Sequence, residues 1–513
     1  MSAATPSETA SPRQPIRLII FSAACVLLLA SLSQTSIATA IPVIVADLGS
    51  VESVTWIMTV YLLASTVGAP ISGKLADLYG SKPVLQACIL VFLAGAGIGG
   101  LASSMGVLIF GRFIQGLGGG GLIVVAMTVV ADVLRERDRG KAQGVVGAVL
   151  GFSTVFGPLL GGFLTEQFSW HWVLFINLPF GVLAFTGITF LLPKGGNHGR
   201  QKIDYPGAIL LAITLTGIVL FASLGGTAIP WASWPSVALG VVCGLGFLGF
   251  LFIESRTIQP ILPLGLFRIN NFVVSNAVRF IIGMSMFGMI TFIPLYLQVV
   301  KGYSPTVSGL LLLPLMFGFV GGSILSGIFM SRTGRYRIVP ILSMPLLAVG
   351  ALLLATITPD TNVWILGLYL LTVGIWIGPV NSIGVAAIQN AVPAGALGVA
   401  TASSQMFRMI GGSVGVSIFG AIFAAGLSSR LPGGLLDDTG NTGLRAMSPQ
   451  LISELPPSLR DTVLDAFTGA LHPIFLCTAV AAVLAFCLSI ILKEIPLPVD
   501  RRRDPDAYNG NVK

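Results

Sequence analysis

Three arginines lie where a charged side chain is hardest to explain without a function. Arg112, Arg279 and Arg408 each fall well inside a long apolar run, and no Asp or Glu does so. A charge at bilayer depth is costly and usually serves binding or ion coupling. A positive interior without an acid favours neutral or anionic ligands over cations.

Each arginine also has a structural interpretation. Arg112 could bond only to backbone carbonyls and serve packing. Arg279 and Arg408 lie about eight residues into their runs, roughly 12 Å from the helix ends at helical rise, so their side chains could reach the membrane surface. Gly411, Gly412 and Gly415 follow Arg408 and favour an interior, closely packed position for it instead.

A second set of polar and aromatic residues is expected near a ligand cavity, although each alone is more often structural. The members are Gln34, Tyr61, Gln115, Tyr296, Gln298, Trp376, Asn381 and Gln405. Gln115 and Gly116 follow Arg112 by three and four residues, which places them on its helix face.

The elements that hold these residues are membrane helices. With 54% hydrophobic and 9% charged residues and a mean hydropathy of +0.91, the chain is too apolar for a soluble protein. Apolar runs near the length of a bilayer recur throughout, which predicts an all-α polytopic fold. The fourteen predicted spans are 18–40, 53–73, 83–102, 107–130, 141–165, 171–192, 205–224, 235–253, 271–297, 306–330, 338–357, 363–388, 400–426 and 471–492, the seventh and eighth being the weakest.

Basic residues orient the spans. Of the 28 Lys and Arg, 21 fall on one face of the predicted topology and four on the other. Cytoplasmic loops carry the excess of basic residues, so both termini are expected in the cytoplasm, with the protein in the inner membrane. These loops also explain the net charge of +8 without a nucleic-acid partner.

The spans divide into six, two and six. We expect a cytoplasmic tail at 1–17, a six-helix bundle at 18–192, linkers with two extra spans at 193–270, a second six-helix bundle at 271–492 and a cytoplasmic tail at 493–513. GKLADLYGSK at 73–82 and GIFMSRTGRYR at 327–337 share a Gly-polar-Gly-basic pattern, which indicates a duplication and predicts a binding site between the halves near the midplane.

An external loop is expected at 427–470, with a short amphipathic helix inside SELPPSLRDTVLDAF. A lid, a docking surface and a passive linker remain open for this loop.

Two stretches carry the clearest local patterns. Gly73, Asp77, Gly80 and Lys82 form a turn whose glycines allow a tight reversal and whose charges can bond to neighbouring helix ends. In the fifth span, Pro158 follows Gly157 among several further glycines, which predicts a kink and close helix packing.

An enzymatic function has little support. GAPISGKL at 68–75 fits a phosphate-binding loop, but Leu75 replaces the hydroxyl residue that would hold Mg²⁺ and the segment ends a membrane helix. With no nucleophile triad or metal cluster in the sequence, we expect a non-enzyme without cofactor or metal.

Taken with RFIQGLGGGG at 112–121 and GAVLGFSTVFGPLLGG at 147–162, these patterns resemble the major facilitator superfamily, in particular its fourteen-span drug:proton antiporters of the multidrug-efflux type. The resemblance covers about 17–495. It implies two six-helix bundles around an alternating-access cavity, with Asp77 locking the cytoplasmic side against the start of the thirteenth span. It also implies proton coupling at Arg112 and a leak-opposing role for Gly157 and Pro158. The implied partners are an amphipathic small molecule, protons and membrane lipids, with a periplasmic adaptor left open.

One departure from the family is chemically important. Family members usually carry an acid in the first span, and here LSQTSIATAIP places Ser33 at that position. A serine hydroxyl cannot exchange a proton for a cationic drug, which again favours neutral or anionic cargo. The coupling proton would then need another group near the membrane faces, and the available ones are Asp77, Asp132, Glu166, His171 and Asp204.

Two other functions remain open on the same scaffold. One is a facilitator or symporter that imports a small organic solute. The other is a lipid-binding or receptor-like membrane protein without turnover.

Overall fold

The computed structural model describes residues 16–48, 54–134, 136–192, 204–224, 233–257, 259–430 and 456–495. In these residues the chain forms sixteen α-helices and two short 3-10 helices, and no strand is present. The α-helices are α1 Ile16–Leu48, α2 Val54–Tyr79, α3 Ser81–Gly100, α4 Met105–Val133, α5 Glu136–Gln167, α6 His171–Phe175, α7 Asn177–Leu191, α8 Tyr205–Leu224, α9 Trp234–Glu254, α10 Asn270–Val299, α11 Pro305–Leu310, α12 Leu313–Thr333, α13 Ile338–Leu354, α14 Val363–Ala391, α15 Leu397–Ser428 and α16 Pro457–Ile491.

The expected all-helical membrane fold is confirmed. Thirteen helical segments of the described chain are long and apolar enough to cross a bilayer, and α13 is a shorter apolar helix of 17 residues. The pairs α6–α7 and α11–α12 each make one span, interrupted near Ile176 and Leu311. The two weakest predicted spans are present as α8 and α9.

The last span differs from its prediction. It was expected to begin at residue 471, but α16 begins at Pro457 and runs without a break to Ile491. The amphipathic segment predicted as a short separate helix is therefore the first part of α16. The predicted loop at 427–470 is shorter, and its centre at 431–455 lies outside the described residues.

Two sets of helices pack in the same order. In the first bundle, which we define as α1–α7, α2 and α3 pack on α4 and α1 packs on α5. In the second bundle, α10–α16, the equivalent helices α12 and α13 pack on α14 and α10 packs on α15. The repeated pairing agrees with the duplication that the two related turn sequences predict.

Two helix pairs make the largest contacts between the bundles. α5 packs on α12, and α2 packs on α15. A β-carbon on Gly73 of α2 would lie 2.6 Å from the carbonyl oxygen of Gly398 on α15, so only glycine permits this approach. The extra helices α8 and α9 pack on each other, and α8 also contacts α2 and α15 beside this interface.

Candidate functional site

Arg112 lies at the centre of a buried cluster in the first bundle. The glycine-rich face of α4 allows α2 to approach closely, since a β-carbon on Gly116 would lie 2.6 Å from the carbonyl oxygen of Tyr61. Arg112 is fully buried and its Nη1 donates to Gln115 Oε1 at 2.7 Å. Its guanidinium carbon lies 4.1 Å from the centroid of the Tyr61 ring, a cation–π distance, and its Nε donates to the Ile57 carbonyl at 3.4 Å.

Ser33 belongs to the same cluster. Gln115 Nε2 donates to Ser33 Oγ at 2.9 Å, and Arg112 Nη1 approaches the Ser33 carbonyl at 3.5 Å. Arg112 Nη2 is buried without a hydrogen-bond partner. Four predicted residues, Ser33, Tyr61, Arg112 and Gln115, are thus brought together around one positive charge that has a spare donor. Gln34 is half-exposed beside them.

Arg279 is sequestered inside the second bundle. It is 1% exposed, and its Nη1 donates to the carbonyl oxygen of Asn381 at 2.6 Å and to Asn381 Oδ1 at 3.3 Å. Its Nε donates to the Ser404 carbonyl at 3.2 Å. The side chain therefore does not reach the membrane surface, and it joins α10 to α14 and α15 instead of lining an open cavity in this conformation.

Arg408 has fewer partners than the other two arginines. It is only partly buried, and its Nε donates to Gln405 Oε1 at 3.2 Å. Its guanidinium group also lies near the Met409 sulfur, 3.9 Å from Nη2, and near the Phe287 ring, whose centroid is 5.8 Å from the guanidinium carbon. Because a guanidinium has five N–H donors, most of them are available to another acceptor.

Asp77 joins the two bundles at the end of the molecule that carries the basic turns, here called the basic end. Asp77 Oδ1 accepts from the Gly398 amide at 2.7 Å and Oδ2 accepts from the Val399 amide at 2.8 Å. These amides open α15, and a helix start attracts negative charge. We call this pair of bonds the latch. It is the contact that the resemblance implies for Asp77.

Gly80 and Lys82 stabilise the turn beside the latch. Gly80 has φ 90°, a conformation that favours glycine, and it reverses the chain between α2 and α3. Lys82 Nζ donates at 2.7 Å to the carbonyls of both Thr189 and Leu192 at the end of α7, where a helix attracts positive charge. Lys82 therefore holds the first bundle together and makes no part of the latch.

The second bundle contains an equivalent turn. Gly334 has φ 71°, and a β-carbon on Gly327 would meet the Gly140 carbonyl near the start of α5. Here the acid is Asp138 at the helix start, and Ser331 Oγ in the turn donates to its Oδ1 at 3.0 Å. Each bundle thus places its glycine turn against a helix start of the other bundle.

Sequence reasoning missed a polar junction at the same end. Arg139 Nη1 donates at 2.9 Å to the Gln389 carbonyl and to Asn390 Oδ1, and Gln143 Nε2 donates to Gln389 Oε1 at 3.3 Å. These residues lie on α5 and α14, so the junction also joins the bundles. Polar residues near the ends of two apolar helices were the available signal, but the pairing depends on their packing register.

The glycines of α5 serve both bundles. A β-carbon on Gly147 would lie 2.9 Å from Ser323 Oγ on α12, whereas one on Gly157 would collide with Thr35 on α1. Thr35 Oγ1 also donates to the Ser153 carbonyl at 2.9 Å. α5 continues through the half-buried Pro158 as one helix. The predicted close packing is present on two faces of the helix.

The remaining predicted cavity residues do not converge. Tyr296 is fully buried and its hydroxyl donates to the Thr358 carbonyl at 2.7 Å, so it belongs to the packing core at the end opposite the basic end. Trp376 packs against the core of the second bundle, and Gln298 is half-buried. The cavity assignment of Tyr296 does not hold in this conformation.

Comparisons with known proteins agree with this architecture. The family model described as Major Facilitator Superfamily matches residues 23–416. Multidrug resistance protein 3 of Bacillus subtilis (strain 168) is 34% identical over 470 residues, covering 90% of this chain and 91% of that protein. An uncharacterised MFS-type transporter of Mycobacterium tuberculosis is 38% identical over 485 residues, covering 94% of this chain and 70% of that protein.

Solved structures show the same fold at low identity. The human organic anion transporter MFSD10 has a TM-score of 0.62 at 14% identity, with 93% of this chain and 100% of that chain covered. The proton:xylose symporter XylE has a TM-score of 0.61 at 14% identity, with 93% of this chain and 96% of that chain covered.

Proposed function

The chain belongs to the major facilitator superfamily of membrane transporters, and we propose that it exports amphipathic organic compounds by alternating access, driven by proton antiport. In this proposal the basic end faces the cytoplasm, in accordance with the distribution of Lys and Arg. Similarity to Multidrug resistance protein 3 and to a Fusarium protein described as an MFS-type efflux pump supports export over import.

The observation that carries the proposal is the latch. Alternating access requires one side of the transporter to be closed while the other can open. Asp77 supplies two hydrogen bonds between a carboxylate and backbone amides of the other bundle, and such charge-assisted bonds are strong but reversible. With Arg139 and Ser331 adding further bonds at the same end, the structure has its basic side closed.

The charges of the three arginines support a neutral or anionic cargo. Arg112 and Arg279 are buried inside their own bundles, so their guanidinium groups set a positive potential there without being exposed to cargo in this conformation. Arg408 is partly exposed and keeps donors for a carboxylate, sulfonate or carbonyl oxygen. We therefore assign Arg408 as the residue that contacts an acceptor group on the cargo.

Transport measured in oriented proteoliposomes tests this function. With the basic end outside, we expect an imposed outward-directed proton gradient to drive an anionic amphipathic dye into the vesicles, together with proton efflux. Flux of dye and protons in the same direction would support a symporter. Dye equilibration without proton movement would support a facilitator, and binding without flux would support a non-transporting protein.

A substitution at Arg408 tests the cargo contact. Arg408→Gln removes the charge, and hydrogen bonds to charged groups contribute about 1.5–3 kcal/mol, so we expect roughly ten- to hundredfold weaker apparent affinity for the anionic dye. Arg408→Lys keeps the charge and is the matched control, with a smaller loss. An uncharged analogue should respond less than the anion. Equal losses for both dyes would contradict direct recognition of the anion.

A further inference from the structure

Two buried acids meet at the basic end of the extra helices. Asp204 immediately precedes α8 and is 7% exposed, and Glu254 ends α9 and is 3% exposed. Asp204 Oδ2 and Glu254 Oε2 are both buried without a hydrogen-bond partner. An ionised carboxylate in this position loses the hydration of these oxygens without a hydrogen bond in its place, so the two oxygens require an explanation.

The two unpartnered oxygens share one small space. Both lie within 3.2 Å of the point that a β-carbon on Gly207 would occupy, a position that glycine leaves empty. The other oxygen of each acid is already fixed, since Asp204 Oδ1 accepts from the Gly207 amide at 3.0 Å and Glu254 Oε1 accepts from the Leu262 amide. Each acid is thus held by backbone amides, and the second oxygen of each lies beside the same small space.

Two carboxylates that border one small buried space resist being ionised together. A single proton removes the repulsion, because one carboxyl group then donates a hydrogen bond to the other. This arrangement also satisfies both unpartnered oxygens at once. The geometry therefore fits a proton as the ligand of the pair.

The pair lies within electrostatic reach of the latch. α8 packs on α2 and α15, the two helices that the latch joins. Lys74 on α2 lies one turn before Asp77, and its charge interacts with Asp77, Glu254 and Asp204. The charge of Asp132 also interacts with that of Asp77. The guanidinium group of Arg256 lies over the Phe252 ring, with 4.2 Å between the guanidinium carbon and the ring centroid.

We propose that Asp204 and Glu254 share one proton while the latch is closed, and that release of this proton weakens the latch. The proton leaves an O–H group for cytoplasmic water, and both carboxylates become ionised. The added negative charge repels the ionised Asp77 and draws Lys74 away from it, and both effects disfavour the latch. By linkage, opening the latch must lower the proton affinity of the pair. The equilibrium between the closed and the open latch therefore depends on cytoplasmic pH.

This inference rests on the orientation and proton coupling of the proposed function, but it can be tested without transport. In the purified full-length protein in nanodiscs, infrared difference spectroscopy across a pH titration should show the carbonyl stretch of one protonated carboxyl group at neutral pH. Glu254→Gln and Asp204→Asn each place an amide N–H where the proton would lie. Either substitution should abolish that band and leave the separation of spin labels on α2 and α15 independent of pH, whereas wild type should open as pH rises.

Glu494→Gln is the matched control, because Glu494 is an exposed acid at the same end. It should leave the band and the pH dependence unchanged. Absence of the band in wild type overturns the proposal even if the variants fail to fold, and stabilisation by Mg²⁺ or K⁺ in its place would identify a cation site. If wild type shows the carbonyl band but exports no compound, only the proposed function is contradicted, and the shared proton is not.

Discussion

Asp77→Asn is expected to shift the protein roughly a hundredfold toward the state with an open basic end. Asparagine keeps one oxygen acceptor but loses the charge and the second acceptor, and hydrogen bonds to a charged group contribute about 1.5–3 kcal/mol each. A loss near 3 kcal/mol corresponds to about two powers of ten in the equilibrium. Spin-label distances between the basic ends of α2 and α15 measure the shift. Export by the same variant should fall, because its basic end is closed less of the time.

Asp138→Asn provides a matched control at the related turn. Asp138 accepts one hydrogen bond from the Ser331 hydroxyl at 3.0 Å, whereas Asp77 accepts two from the start of α15. We expect a shift of about 1 kcal/mol, roughly fivefold, for the control. If the two substitutions open the basic end equally, the bonds to the start of α15 do not hold it closed.

Hydropathy predicts the helices of this fold well because a bilayer requires every span to satisfy its backbone internally. It fails where a helix leaves the membrane. Arg460, Asp461 and Asp465 suggest a loop, but outside the bilayer charged residues cost a helix little, and α16 continues through them from Pro457. The interruptions near Ile176 and Leu311 are also invisible to hydropathy, although Pro179 and Pro314 follow them by three residues and disfavour a continuous helix there.

The rotation of each helix is harder to predict than its position. A helix that is apolar on all sides has no periodic signal to show which face meets which neighbour. Arg112, Gln115 and Ser33 were predictable as a group because the polar residues on α4 share a face and the resemblance supplies the partner position on α1. The bonds of Arg139 and Gln143 to Gln389 depend on the register between α5 and α14, which only the packed structure defines.

The same limit explains why the different roles of the predicted cavity residues could not be predicted from the sequence. Arg279, Tyr296 and Arg408 have similar sequence environments, since each is a polar or charged side chain in an apolar helix. Their roles diverge through the partners they meet, which are backbone carbonyls for Arg279, a loop carbonyl for Tyr296 and a single glutamine amide for Arg408. Sequence alone therefore identifies the charges, whereas the structure identifies which charge remains available.

Ser33→Asp is expected to add cationic compounds to the exported range. The new carboxylate would lie beside Gln115 Nε2, which already donates to Ser33 Oγ, in the same cluster as Arg112, whose Nη2 has no partner. The net charge of this cluster would fall from positive to neutral. Removing the repulsion of one positive charge at about 6 Å, with an effective dielectric constant of about 20, relieves roughly 3 kcal/mol for a cation. Efflux of an ethidium-like cation should rise at least tenfold, with a smaller fall for the anionic dye.

Ser33→Asn separates the effect of charge from that of shape. The asparagine oxygen can accept from Gln115 as the serine hydroxyl does, but it adds no charge, so we expect no gain in cation efflux. The aspartate variant should also unfold at a higher temperature than the asparagine variant, because its carboxylate pairs with a buried guanidinium group that wild type leaves partly unsatisfied. If both variants transport cations equally, the charge of the cluster around Arg112 does not select the cargo, and the contact at Arg408 would have to account for selectivity by itself.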